Sequence, residues 1–148
     1  MTDEQRKEAR HRIKVRLGEY LDLEKERLQI LDELTKLEAR RTAPGTSKWD
    51  AMPRGGGGGN AMDSGLEQKE NIVERYHRKV ANMESVQAQI EDMIESLEST
   101  ERKLLRHRYI EGLTWERVCV AMGYSWRQTH NIHASALDKL VEYNHGGG

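Results

Sequence analysis

The stretch TWERVCVAMGYSWRQTHNIHASALDKL, residues 114–140, decides how this chain is read. Thr114 is placed to cap a helix from Trp115 to Met122, where Trp115, Val118, Cys119 and Met122 recur at spacings of three and four and share one face. Gly123 breaks that helix. Ser125 can cap another, from Trp126 to about Glu142, with Thr129, Ile132, Ala136 and Leu140 facing inward and polar residues facing out. A helix, a tight turn containing Gly, and a helix with a polar outer face make a helix-turn-helix pattern. Just upstream, Ser99 or Thr100 caps a short helix through about Ile110. It presents Leu104, Leu105 and Tyr109 on one side, and Glu111-Gly112 stops it.

A helix that enters the major groove of duplex DNA offers base edges the side chains near its N-terminus, where the helix dipole also favours phosphate. Donors of the required kind occupy those positions here. Arg127 suits a bidentate bond to guanine, Gln128 and Asn131 suit adenine, and Ser125 and His130 reach phosphate or base. Ser125-Trp126-Arg127-Gln128 also fits a capping box, in which Gln128 folds back onto the Ser125 amide and reads no base; the sequence leaves both roles open. For Trp126, burial against the domain stands beside contact with DNA or a protein partner.

Working toward the N-terminus, Leu66 to about Glu98 carries a helical apolar face at Ile72, Tyr76, Val80, Met83, Val86 or Ala88, Ile90, Ile94 and Leu97. Asp3 to Arg41 contains no Pro and one Gly, with Ile13, Leu17, Tyr20, Leu21, Leu28 and Leu31 in helical register. A second series, Leu23, Ile30, Leu34 and Leu37, widens the stripe. Glu24 interrupts the heptad seam, so an antiparallel helical hairpin or dimeric bundle is expected rather than a strict coiled coil. Between them, Thr42 to Gly65 holds both prolines and the run Gly55–Gly59, and reads as a flexible connector without helix. No Gly-Lys-Ser/Thr follows the glycines, which removes a phosphate-loop reading. Trp49 and Met52 are costly to leave exposed in a connector, and are expected to dock.

The fold class is therefore all-α: a helical oligomerisation region over 1–98 with its linker at 42–65, a helix-turn-helix domain over 99–144, and a disordered tail at 145–148. Phe is absent and charged residues make up 33% of the 148, a makeup of long helices rather than sheets. Apolar runs fall far short of a membrane span, and Met1–Arg16 is charged where a signal peptide needs an apolar segment, so a cytoplasmic protein with no membrane partner is expected. Net charge is −1, but residues 99–148 carry seven basic and five acidic side chains and form the positive end. The four histidines there, His107, His130, His133 and His145, add to the excess only when protonated. Cys119 stands alone on an apolar face, and His130 with His133 makes a poor metal site without further ligands. No catalytic site, metal or cofactor is expected, and the chain reads as a non-enzyme.

Residues 114–140 resemble region 4 of bacterial sigma factors, aligning without gaps through the Thr-x-Glu start, the Gly turn and the closing Ala-Leu-x-Lys-Leu; LLRHRYIEGL before them extends the likeness. The order of charged helix, SKWDAMPRG connector, second helix and terminal module resembles small regulators of bacteriophages and prophages, including the late-gene activators called RinA and ArpU. The resemblance implies a promoter-binding transcription regulator that recruits bacterial RNA polymerase, with Trp126, Arg127, Gln128, His130 and Asn131 in the DNA-contacting positions. None of these keeps the usual sigma residue, which implies a different promoter sequence. Doubling a single weakly binding module supplies affinity, so a homodimer is expected. Two rivals share these features: the DNA-recognition subunit of a phage packaging terminase, and a protein that grips RNA polymerase through Trp126 without touching DNA.

Overall fold

A computed structural model describes residues 1–42 and 57–146, with side chains for 1–42 and 64–144. The described residues form five helices and no strand: α1 Asp3–Thr42, α2 Gly57–Ile94, α3 Ser99–Tyr109, α4 Trp115–Met122 and α5 Trp126–Gly146. They fall into two units, Leu23–Asn82 and Met1–Asp22 with Met83–Gly148. The positions of Trp49 and Met52, whose docking the sequence predicts, lie outside the described residues.

Local chemistry starts α1 where the sequence changes from Met-Thr to a charged run. The Thr2 hydroxyl accepts from the Gln5 amide at 3.2 Å, while Gln5 Oε1 accepts from the Thr2 amide at 2.9 Å. Asp3 and Glu4 in the first turn and Arg40 and Arg41 in the last complement the helix dipole. In the unit Leu23–Asn82, α1 and α2 run in opposite directions, because Glu38 pairs with Lys69, Glu33 with Arg75 and Glu26 with Lys79. Ile30, Leu37 and Ile72 are buried there, with Leu34 and Tyr76 packed against them. Of the two apolar series in α1, the second does this packing; Leu28, from the first, is 50% exposed.

Helix α2 corrects the expected connector. Its first turn is at Gly57, so 57–65 is helical where composition predicts none. Both prolines, Pro44 and Pro53, precede residue 57, and glycine only weakens a helix, by about 1 kcal/mol per residue against Ala, whereas proline stops one. Propagation from the strongly periodic part beyond Leu66 outweighs that cost. At the other end α2 stops at Ile94 rather than Glu98, in a turn closed by the Leu97 amide donating to the Ile94 carbonyl at 3.0 Å. That turn leaves Glu98 extended at φ −66°, ψ 156°, so Glu98, not Ser99 or Thr100, holds the N-cap position of α3.

In the other unit, α3, α4 and α5 pack pairwise. Leu17, Ile94, Leu104, Leu105, Val118, Thr129 and Leu140 are its most deeply buried large side chains. Two turns depend on glycine. Gly123 ends α4 at φ 73°, which lets the amides of Gly123 and Tyr124 both reach the Cys119 carbonyl, at 2.9 and 3.2 Å. Gly112, also at φ 73°, lets the backbone approach Leu21 so closely that an added Cβ would lie 3.3 Å from its Cδ2. Glu101 is buried yet satisfied: it accepts from Lys139 Nζ at 2.9 Å, Ser135 Oγ at 3.3 Å and the Glu98 amide at 3.2 Å, tying α3 to α5. Helix α5 runs on through His145 and Gly146, residues expected in the tail. No helix among the described residues is long and apolar enough to cross a membrane.

Candidate nucleic-acid interface

The first turn of α5 is built by a reciprocal cap. Ser125 Oγ accepts from the Gln128 amide at 3.1 Å and Gln128 Oε1 accepts from the Ser125 amide at 3.2 Å. Of the two roles open to Gln128, the structure has the capping box, and its carbonyl oxygen is occupied. Thr129, buried below, donates its hydroxyl to the Ser125 carbonyl at 2.8 Å and locks the turn further. Arg127 and Asn131 lie one helical turn apart, both exposed, and neither side chain bonds to another described residue. They are donors held on a rigid, capped helix with their hydrogen-bonding capacity unspent.

Beside them runs a ladder of rings. The Trp126 ring lies 4.4 Å from that of His130, which lies 4.5 Å from that of Trp115; Trp115 meets His133 edge-on at 4.7 Å. Arg108 extends the ladder, with its guanidinium carbon 4.7 Å from the Trp115 ring centre and its NH1 donating to the Leu113 carbonyl at 2.9 Å. Trp126 is thus half on the protein: its ring packs on His130, yet 54% of the residue stays exposed. His130 Nε2 is buried without a hydrogen-bond partner.

His133 differs from His130. It is buried, its Nε2 lies 2.9 Å from the Tyr109 hydroxyl, and its pKa is drawn down to about 4. Burial is the main cause, and the positive charges of Lys14 and Arg108 add to it. His133 is therefore neutral near pH 7 and contributes no charge to the positive end. With His133 Nε2 facing Tyr109, the pair His130 and His133 does not converge on a shared ion; among the described residues no group of three or more His, Cys, Asp or Glu side chains could hold one.

Of the six residues singled out from the sequence, Trp126 and His130 join one ladder, Arg127 and Asn131 share an exposed strip, and Ser125 and Gln128 form the cap between them. Sequence reasoning missed Arg108, which the turn at Gly112 brings onto Trp115, and the charge of Lys14 on α1, which acts on His133. It also placed Trp115 only on a core face. The contact of Arg108 depends on the path of the 110–113 turn, which no periodicity reveals. Compared with models of protein families, with curated proteins and with solved structures, the chain finds no match.

Proposed function

We propose that this protein is a sequence-specific, double-stranded DNA-binding transcription regulator of phage type, without enzymatic activity, in which α4, the Gly123 turn and α5 act as a helix-turn-helix. The observation that carries the reading is the pair Arg127 and Asn131, exposed and unbonded on the first turns of a helix whose N-terminus is fixed by the Ser125–Gln128 cap. Arg127 reads guanine, Asn131 reads adenine, and Trp126 and His130 lie against the adjoining sugar-phosphate chain. Arg108, held over the Trp115 ring, supplies a further phosphate contact. Ser125 contributes through the cap it builds.

The long helices serve self-association in this reading, and a second copy is the partner. Along α2 an apolar groove is lined by Leu66, Val73 and Ala81 between Glu70, His77 and Arg78. Its lining carries both signs of charge, with Lys69, Glu70 and Glu74 toward the N-terminal side and Arg78 toward the C-terminal side, so an antiparallel second copy can set its Arg78 against Glu70. Dimerisation doubles the DNA contacts and lengthens the site read.

One observation favours a second reading. Val120 is 83% exposed, and Tyr124 and Trp126 are also open to solvent, an apolar group on and beside the α4–α5 turn that suits a protein such as RNA polymerase. Selection from a random duplex library at two salt concentrations decides between them. Enrichment of a motif, two-fold symmetric for a dimer, supports the regulator; binding without a motif, or none, favours the polymerase contact.

A further inference from the structure

We infer that the amino-terminal stretch of α1, Arg6 to Arg16, is a second DNA-contacting surface that grips the phosphate backbone while α5 reads bases; the inference rests on the DNA reading above. The stretch RKEARHRIKVR carries Arg6, Lys7, Arg10, Arg12, Lys14 and Arg16 together with His11, against the single acid Glu8. The near-neutral charge of the whole chain hides this concentration.

Unpaired cations are denser here than in the rest of α1. Arg10 is taken by Asp138, and Arg12 lies 3.3 Å from Glu8. Arg6, Lys7, Lys14 and Arg16 are exposed and have no ion pair with a described residue. In the unit Leu23–Asn82 most cations are paired: Arg27, Lys36, Arg41, Lys69, Arg75 and Lys79 each have a carboxylate partner, while Lys25, Arg40 and Arg78 have none among the described residues. Ion pairing serves helix packing there, while at the start of α1 four of six cations lie unpaired within eleven residues.

Their placement points to what. The Arg10 guanidinium clasps Asp138 on α5, Leu21 packs at the Gly112 turn, and the Lys14 charge bears on His133, one turn of α5 from Thr129. Arg6–Arg16 therefore lies alongside the helix that carries Arg127 and Asn131, within one unit. It is about 15 Å long at 1.5 Å per residue, over which a duplex running beside it presents several phosphates. Flexible lysines and arginines without fixed partners suit phosphate, which carries no sequence information.

The test uses the full chain and two variants. The first replaces Arg6, Lys7, Lys14 and Arg16 together by Gln; the second, Glu8→Gln, removes the lone acid and guards against a misfolded first variant. Affinity for a selected duplex and for a random duplex is followed by fluorescence anisotropy across salt concentrations. The fourfold variant should bind both duplexes at least tenfold more weakly at about 0.15 M salt, with its log K against log salt slope reduced by about two to four and its preference between duplexes unchanged. Glu8→Gln should tighten both. Unchanged affinity and slope in a folded fourfold variant overturn the inference while leaving the α5 reading in place. Absence of duplex binding by the parent protein overturns both, as does association with anionic phospholipid vesicles in place of duplex.

Discussion

Arg10 and Asp138, 128 residues apart, meet in a bidentate pair: Arg10 Nε donates to Asp138 Oδ1 at 2.6 Å and NH2 donates to Oδ2 at 2.8 Å. The pair joins the first turns of α1 to the exposed side of α5. Each side chain is about a third exposed, so solvent screens it, but the two-pronged geometry is the strongest available to an ion pair. Arg10→Ala and Asp138→Ala should each lower stability by about 1 kcal/mol, with a coupling of similar size in the double-mutant cycle. Urea denaturation of the four proteins measures it, and additive effects would deny the contact any energy of its own.

Glu101 should matter more. Its carboxylate is buried and satisfies Lys139, Ser135 and the Glu98 amide at once. Glu101→Ala leaves those donors without their acceptor and should cost about 2–4 kcal/mol, whereas Ser135→Ala should cost under about 1 kcal/mol. Melting temperatures of the two variants check the order.

His133 makes stability depend on pH in a stated direction. Its folded pKa of about 4 lies below the ordinary 6.5, so the unfolded chain binds the extra proton between those values and the fold does not. The contribution is complete above about pH 6.5, falls as pH drops toward 4, and is level below; it amounts to about 2–3 kcal/mol. His133→Gln should flatten the stability profile across that window. A profile identical to that of the parent would show that His133 does not drive it.

The groove on α2 carries the dimer proposal. Val73→Glu places a charge at its centre, and the mass in light scattering should fall from twice the 17.1 kDa of one chain to that of a single chain. Circular dichroism should remain helical. A mass independent of this substitution places self-association elsewhere.

Much of this architecture was legible because helix periodicity and caps are local. Thr114, Gly123 and Ser125 mark the ends of α4 and α5 in the sequence as they do in the structure. The start of α2 was not legible, because five glycines read as a break while the absence of proline after Pro53 decided the matter. The cap of α3 went to Glu98 because the turn after Ile94 sets its backbone. At the candidate site, exposure of Arg127 and Asn131 followed from the helical wheel. The contact of Arg108 with Trp115 and the influence of the Lys14 charge on His133 did not, since both depend on how separate helices meet.

The central claim is that the N-terminal turns of α5 read DNA bases, and Arg127→Ala tests it most directly. Affinity of parent and variant is measured for a duplex selected by the parent and for the same duplex with its motif scrambled. The variant should lose about 1–3 kcal/mol on the selected duplex, little on the scrambled one, and should relax its preference at a guanine position. An unchanged preference between the two duplexes would contradict the claim.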